Sequence, residues 1–273
     1  MKNKTSKKKN LGNLLTVPAP FEMDLPWGNY NFSKRFYDIV HDWGIPTEKE
    51  VAFIKSYIKS KDFKILDLTC GGGRHALGLA ESGYNITAID IGGYPVDRAR
   101  KIALKKGYKI NFKRGDVRKI NYKNEYDLAF LICGQLGHFS PKDASKIFLN
   151  SSRALTKDGT FIVHLPVFGP ADMENSVHWY QEKEPFYFSH PSVVHREQYY
   201  YADQRIRLIR DFAIDTTTRK NHLFGISEKN YIPEEIINFG KESGFELLET
   251  FGNYDRDTLK ADSSDNIYVF SKK

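Results

Sequence analysis

The stretch that decides the fold is an apolar run that breaks into three glycines: Lys64, Ile65, Leu66, Asp67, Leu68, Thr69, Cys70, Gly71, Gly72, Gly73, Arg74 and His75. Residues 65–68 have the short, mostly apolar composition of a strand that is buried on both faces of a parallel sheet. Residues 76–80 then switch to the helical spacing of apolar side chains. Because glycine lacks a Cβ and a helix start offers unpaired N–H groups, such a turn can bind a polar ligand. We therefore expect a cofactor cradle between a strand and a helix.

The glycine spacing and the next strand both favour a nucleotide-type cofactor. Gly71, Gly73 and Ala76 satisfy the G-x-G-x-x-G/A spacing of a dinucleotide fingerprint. The next predicted strand, residues 85–90, ends in Asp90, whose carboxylate can accept both hydrogen bonds of a ribose diol. Several adenosine cofactors need such an acid, so these two signals leave the cofactor class open.

The residues around the glycines add a second pattern. Asp67 lies near the strand end, Cys70 directly precedes the glycines and Arg74 directly follows them. This arrangement resembles the first motif of class I S-adenosylmethionine (SAM) methyltransferases, D-x-G-C-G-x-G, which is often followed by R-H. Thr69 stands where the motif has glycine and Gly72 stands where threonine or proline is common, but both changes keep small residues. The resemblance implies that SAM is the cofactor.

The resemblance also implies which residues hold the cofactor. In the family pattern an acid after the third strand binds the adenine amino group, and Asp116 stands at that position here. Ile91, directly after the ribose acid, is placed to pack against the adenine. The expected cofactor-binding residues are Asp67, Thr69, Gly71, Gly73, Arg74, Asp90, Ile91, Asp116, Val117 and Cys133. Any single acid has the ordinary interpretation of a helix or turn cap, but three at successive strand ends favour a ligand crevice.

The alternation of strand and helix patterns predicts an α/β fold. After the glycine strand, the predicted strands are residues 85–90, 109–114, 126–132, 160–165, 245–251 and 266–271, and the predicted helices include residues 141–155 and 232–243. We expect a Rossmann-like, doubly wound, seven-stranded and mostly parallel sheet. Its C-terminal antiparallel hairpin is similar to the methyltransferase ending.

Two helices and one insertion complete the predicted organisation. Ser33 is expected to cap the first helix, and Thr47 with Glu50 to form the capping box of a second helix that runs to about residue 60. Aromatic-rich strand patterns at residues 186–188, 193–194 and 199–201 predict an inserted antiparallel β cap. The expected units are a disordered basic arm at 1–20, a SAM-binding core at 21–165 and 231–273, and the cap at 166–230. The cap is interpreted either as a lid or as the surface of a homodimer.

Composition limits the class of protein. The 273 residues are 40% apolar, which suits one sizeable α/β domain with an appended element. Five of the net +7 charges come from lysines within the first nine residues, and residues 11–273 hold 36 basic and 34 acidic side chains. The chain shows neither an apolar signal-peptide region nor eighteen consecutive apolar residues, so we expect a cytoplasmic protein without a membrane partner. Its two cysteines, Cys70 and Cys133, are expected to be free thiols.

The expected function is SAM-dependent methylation of a small-molecule acceptor at nitrogen or oxygen. Residues 134–138 and the helix around residue 37 resemble the amino-sugar and glycine N-methyltransferase branch, which implies His138 and His41 as catalytic residues. Tyr37 and Trp179 are the expected substrate contacts. An ammonium substrate must lose a proton before it attacks the methyl group, and imidazole titrates near neutral pH. No metal is expected, because the sequence has no familiar zinc-ligand spacing.

Three other functions remain open on sequence alone. The basic arm favours a nucleic-acid (RNA) methyltransferase, but residues 133–136 match neither the N-P-P-Y-like nor the Pro-Cys pattern of such enzymes, so nucleic acid is the less favoured partner. A SAM-binding sensor or assembly subunit could keep the fold without turnover. A nicotinamide oxidoreductase would use the same glycine spacing.

Overall fold

The structure of the chain, a computed structural model, describes residues 19–21, 26–39, 47–183, 186–260 and 262–273. The helices among these residues are α1 (Tyr30–Ile39), α2 (Thr47–Lys55), α3 (Arg74–Ala80), α4 (Gly93–Lys106), α5 (Pro141–Ala154) and α6 (Pro233–Glu242). The strands are β1 (Lys64–Leu68), β2 (Asn85–Asp90), β3 (Ile110–Arg114), β4 (Tyr126–Leu131), β5 (Leu155–Pro166), β6 (Ser176–Glu182), β7 (Ser192–Tyr201), β8 (Ile206–Asp215), β9 (Asn221–Lys229), β10 (Phe245–Phe251) and β11 (Asp265–Lys272). No described helix is both long enough and apolar enough to cross a membrane.

Seven strands form one sheet in the order β3-β2-β1-β4-β5-β11-β10. The strands β1 to β5 pair in parallel, whereas β11 runs antiparallel to both β5 and β10. The strand order reverses at β1, so the carboxyl ends of β1 and β4 flank the crevice where doubly wound sheets bind ligands. The predicted fold class is confirmed, including the C-terminal antiparallel hairpin.

Helices cover both faces of this sheet, which explains why its central strand β4 is continuously apolar from Leu128 to Leu131. Along β4, Leu128 and Phe130 point to the layer of α2, α3 and α4, whereas Ala129 and Leu131 point to the layer of α5 and α6. All four side chains are fully buried. Burial on both faces leaves the strand ends and loops as the places where polar groups can gather.

A second, four-stranded antiparallel sheet, β6-β7-β8-β9, is inserted between β5 and α6. The additional sheet was predicted, but its strands differ from the expected ones. Residues 186–188 form bends and no strand, because the Phe186 ring packs on Phe32 of α1, 5.6 Å away between centroids. The strand β6 was not predicted, and its alternating apolar side chains Val177 and Trp179 are exposed.

Helix α1 begins earlier than the sequence predicts. Asn29 caps it, accepting a hydrogen bond from the Phe32 N–H at 3.0 Å. Ser33, the expected cap, lies inside the helix, where its buried hydroxyl donates to the carbonyl of Trp27. Tyr30 is therefore the first helical residue.

The same helix is attached to the second sheet. Phe32 lies 5.0 Å from Phe224 of β9 between ring centroids. The Arg35 guanidinium donates to the carbonyls of Phe186 and Tyr187 at 3.1 and 2.7 Å. Helix α1 and the second sheet thus enclose a space above the carboxyl end of the main sheet.

Candidate functional site

The glycine turn after β1 is held in place by Asp90 at the end of β2. Its carboxylate accepts hydrogen bonds from the N–H of Gly71 at 2.8 Å and from the N–H of Gly92 at 2.7 Å. Burial raises the pKa of Asp90, although these backbone N–H groups favour its ionised form. Gly73 has a φ of 76°, and Thr69, where the methyltransferase motif has glycine, has a φ of 64°. The turn therefore has the left-handed backbone that its glycines predict.

Asp67 carries an unused acceptor into this crevice. It is 2% exposed, and no group among the described residues hydrogen-bonds to its Oδ2. Burial, together with the nearby Asp90 charge, raises the pKa of Asp67 well above its usual range. A buried carboxyl oxygen without a partner costs free energy, and a bound cation would remove that cost. The ammonium group of SAM would fit this acceptor in charge and in hydrogen bonding.

The adenine side of the crevice is lined by Ile91 and by the turn after β3. Ile91 is 41% exposed, so it offers an apolar face that is not used in the core. Asp116 accepts hydrogen bonds from the backbone N–H and the guanidinium of Arg118. Burial alone would raise the pKa of Asp116, but these bonds outweigh it and lower the pKa. The adjacent Val117 is buried beneath the turn.

Arg74 stands in a buried polar cluster beside the glycine turn. Its guanidinium donates to Glu50 of α2 and to the Cys133 thiol after β4. His75 Nε2 lies 2.9 Å from the same Glu50 carboxylate. Burial alone would raise the pKa of Glu50, but its bonds to His75 and Arg74 lower it to about 2. Glu50 therefore has a structural role in the core, whereas its predicted place in a capping box stays a prediction.

Burial is the largest influence on the pKa values of His75 and Cys133. It lowers the pKa of His75 to about 4 and raises the pKa of Cys133 to about 12. Ligand atoms of Glu50, His75 and Cys133 lie within 4.8 Å of one another, a spacing that a metal ion could use. Arg74 already bonds to two of the three groups. At neutral pH the cluster is therefore best described as an ion pair with a neutral imidazole and a neutral thiol.

One continuous cavity of about 660 Å³ joins the crevice to the space under the second sheet. Among the residues expected to bind the cofactor, those lining it are Asp67, Thr69, Gly71, Arg74, Asp90, Ile91, Asp116, Val117 and Cys133. Its far end is largely aromatic, with Trp27 and Phe36 next to Phe186 and Phe224. The cavity therefore has a polar end at the glycine turn and an aromatic end beneath the second sheet.

His138 lies between these two ends. Its Nδ1 is 3.3 Å from the carbonyl oxygen of Ser227, and its Nε2 is 3.8 Å from Glu228 Oε1. If Nδ1 carries the proton that bonds Ser227, Nε2 keeps its lone pair. Glu228, held by Arg207, can then stabilise the charge of a protonated ring. This arrangement suits proton acceptance from a group in the cavity.

A second polar group lines the aromatic end. Asp211 of β8 accepts both Arg196 nitrogens at 2.7 Å and the Tyr187 hydroxyl at 2.6 Å. The Tyr187 hydroxyl also lies 3.2 Å from that of Tyr180. Sequence reasoning missed Glu228, Arg196 and Asp211, because only the pairing of β7, β8 and β9 brings them to the cavity. The sequence signal that could have indicated these residues was the alternation of side chains along β7, β8 and β9.

The remaining expected site residues have different positions. Tyr37 lines the cavity over the glycine turn, where a Cβ on Gly71 would lie 2.5 Å from its hydroxyl. Gly73 supports the turn from behind and does not line the cavity. Trp179 lies outside it, 65% exposed, and stacks on His195. His41 lies outside the described residues.

Comparisons with known proteins agree with this geometry. Residues 65–159 match the family model described as a methyltransferase domain. A ubiquinone biosynthesis O-methyltransferase of Rickettsia bellii is 35% identical over 81 residues, a match that covers 29% of this chain and 33% of that protein. The chain thus spans about a third of the length of this curated relative.

Two solved structures share the fold over most of both chains. A SAM-dependent methyltransferase from Clostridium acetobutylicum superposes with a TM-score of 0.69 at 20% identity, covering 89% of this chain and 98% of that one. A sugar N-methyltransferase from a Streptoalloteichus species gives a TM-score of 0.61 at 14% identity, covering 87% and 92%. Strand order, glycine turn and family match together confirm the expected family and its cofactor, SAM. Residues 65–159 thus match a methyltransferase domain, within a fold that the chain shares with SAM-dependent methyltransferases.

Proposed function

We propose that the protein transfers the methyl group of SAM to a small-molecule acceptor bound at the aromatic end of the cavity, at a nitrogen or oxygen atom. The observation that carries this proposal is the single cavity that runs from Asp67 and Asp90 to His138. A cofactor site and an acceptor site that share one cavity permit direct transfer between them.

Several residues of this chain would hold the cofactor. Asp67 supplies an unpaired buried acceptor for its ammonium group, and Asp90 supplies a carboxylate for its ribose hydroxyls. Ile91 offers an apolar surface for the adenine. When bound, SAM supplies an electrophilic methyl group on a sulfonium ion. Tyr37 covers the glycine turn and excludes water from this end of the cavity.

The acceptor end favours a compact molecule with polar groups. Aromatic rings from α1 and the second sheet supply flat apolar contacts, whereas Arg196 and Asp211 supply a donor and an acceptor in fixed positions. His138, next to Glu228, accepts the proton that an amine or a hydroxyl loses on methylation. We assign residues 166–230 to acceptor binding, together with α1 and His138, and the rest of residues 21–165 and 231–273 to the cofactor-binding core.

Calorimetry and a methyl-transfer assay test this function together. SAM and its demethylated product should bind, whereas NADH should not; the reverse pattern would refute the proposal. A panel of amines and hydroxyl compounds with methyl-tritiated SAM then identifies the acceptor class. Binding of SAM without transfer to any small molecule would favour the non-catalytic alternative.

A matched pair of histidine variants tests the role of His138. His138→Asn should lower kcat about 100-fold or more, with SAM affinity unchanged, if the imidazole accepts a proton. His178→Asn changes the same side chain at an exposed position on β6 and should leave kcat unchanged. An unchanged kcat in His138→Asn would remove this residue from the reaction.

A further inference from the structure

The near balance of charge over residues 11–273 hides one strongly basic region. Residues 98–123 contain eleven lysines and arginines and one acidic side chain, Asp116. The rest of residues 11–273 holds 25 basic and 33 acidic side chains, so it is acidic overall. Charge is therefore segregated along the chain, and the basic part coincides with α4, β3 and the turn that follows.

These residues form one edge of the molecule. Strand β3 is the last strand of the seven-stranded sheet, paired only with β2 among the described strands. The exposed basic side chains along it and its flanks are Arg100, Lys101, Lys105, Lys106, Lys109, Lys113, Arg114, Lys119 and Lys123. We call this set the basic edge.

Contacts between the elements make the basic edge continuous. Arg100 of α4 donates to the carbonyl of Phe112 in β3 at 2.9 Å. On the other face of β3, the Lys113 ammonium donates to the Tyr122 hydroxyl at 2.8 Å. The edge therefore wraps around β3 from α4 to the turn before β4.

Most of this charge is not neutralised within the molecule. Arg100 pairs with Asp97, and Lys119 lies 4.0 Å from Asp116. Among the described residues, no carboxylate lies within 4.0 Å of the ammonium groups of Lys101, Lys105, Lys106, Lys109 and Lys123. Close like charges raise the free energy of the unbound surface, and a polyanion would lower it.

Tyrosines beside the lysines indicate which polyanion fits. Lys106 lies 5.6 Å from the ring centroid of Tyr108, and Lys113 lies 5.0 Å from that of Tyr122. Both tyrosines are partly exposed. Lysines that contact phosphates next to aromatic rings on which bases stack are the elements of sequence-independent single-strand binding.

An anionic membrane fits the same surface less well. Membrane-surface helices place an apolar face in the lipid. In α4 the apolar residues Val96, Ala99 and Ala103 are buried against the sheet, and Leu104 is the one large apolar side chain that is well exposed along the basic edge. Little apolar surface is left to insert.

We propose that the basic edge binds single-stranded nucleic acid through its phosphates, at a surface separate from the methyl-acceptor cavity. Its five unpaired lysines are the main phosphate contacts. The inference is independent of the methyl-transfer proposal, because none of these five lysines lines the cavity. The basic arm at the N-terminus, with lysines at positions 2, 4, 7, 8 and 9, adds charge of the same sign.

Fluorescence anisotropy with a labelled 20-nucleotide oligouridine tests the proposal on the full chain. Five phosphate contacts predict that log K falls with log salt at a slope of about −3.5. The variant Lys101→Glu/Lys105→Glu/Lys109→Glu removes three of the five contacts, so it should weaken binding at least tenfold at 100 mM salt and reduce the slope by about 2. The neutral variant Lys101→Gln/Lys105→Gln/Lys109→Gln should weaken it in the same direction and serves if charge reversal impairs folding.

Two controls decide where the binding lies. The variant Lys142→Glu/Lys157→Glu/Lys241→Glu makes the same change of charge at exposed positions outside the basic edge and should bind as the parent does. Equal losses in the two charge-reversal variants would refute a local site. Loss of binding on deletion of residues 1–15, with the edge variants unaffected, would assign the binding to the arm and refute the proposal. Binding to phosphatidylserine vesicles with none to the oligonucleotide would also refute it.

Discussion

Replacing Glu50 by glutamine tests the buried cluster that positions Arg74. Glu50 is the acceptor for both Arg74 and His75, and its side chain is 3% exposed. Its pKa falls from 4.5 to about 2 on folding. Each pKa unit corresponds to 1.36 kcal/mol, so the ionised carboxylate stabilises the fold by about 3 kcal/mol at neutral pH. The direct cost of breaking a buried ion pair, about 3–5 kcal/mol, is of the same size.

The pH dependence has a definite sign. Because the folded-state pKa of Glu50 is lower than the unfolded one, its stabilisation is complete above about pH 4.5 and is lost as the pH falls through about 2. At pH 7.5 the difference between the parent and Glu50→Gln is therefore at its full value.

Urea denaturation followed by circular dichroism at pH 7.5 measures this difference. Glu50→Gln should lower the free energy of unfolding by about 3 kcal/mol. Glu48→Gln makes the same change at an exposed position of the same helix and should cost less than about 1 kcal/mol. Equal costs for the two variants would refute the assignment of Glu50 as the buried partner of Arg74.

Four further variants test the turn and the cluster. Asp90→Asn should weaken SAM binding at least tenfold in calorimetry, with Asp97→Asn as the exposed control; equal affinities would remove the ribose contact. Gly73→Ala should lower the melting temperature, because φ is 76° and the new Cβ would lie 2.9 Å from a neighbouring side chain. Thr69→Gly, in contrast, should lower the free energy of unfolding by less than about 1 kcal/mol, because glycine adopts the left-handed backbone at this position without strain. Burial lowers the pKa of His75 to about 4, so stability should fall as pH drops from 6.5 to 4 in urea titrations, and a parent profile as flat as that of His75→Gln would contradict this.

The main sheet could be predicted because its central strands are buried and therefore consist mostly of apolar residues. Residues 128–131 are apolar on both faces, and Asp67 and Asp90 stand at strand ends where parallel topology brings them together. The order of strands and helices along the chain predicts this topology. The types of residue at the polar end of the cavity could therefore be predicted from the sequence.

The acceptor end could not be predicted in the same way. Glu228 reaches His138 only through the pairing of β8 with β9 and the packing of β9 on the loop after β4, contacts between residues far apart in sequence. Residues 186–188 have strand-like composition, but the Phe186 ring packs against Phe32 of α1 and the segment forms bends. Tertiary packing overrode local preference there.

The attachment of α1 to the second sheet has a consequence for protein engineering. Arg35 and Phe32 bind that sheet through Phe186 and Tyr187, which lie about 150 positions away along the chain. A chimera that exchanges residues 176–229 with those of a homologue would change the path of the loop whose backbone carbonyls accept from Arg35, and would place foreign side chains against Phe32. Residues 26–39 must therefore be transplanted together with the sheet, as two separate segments of one graft.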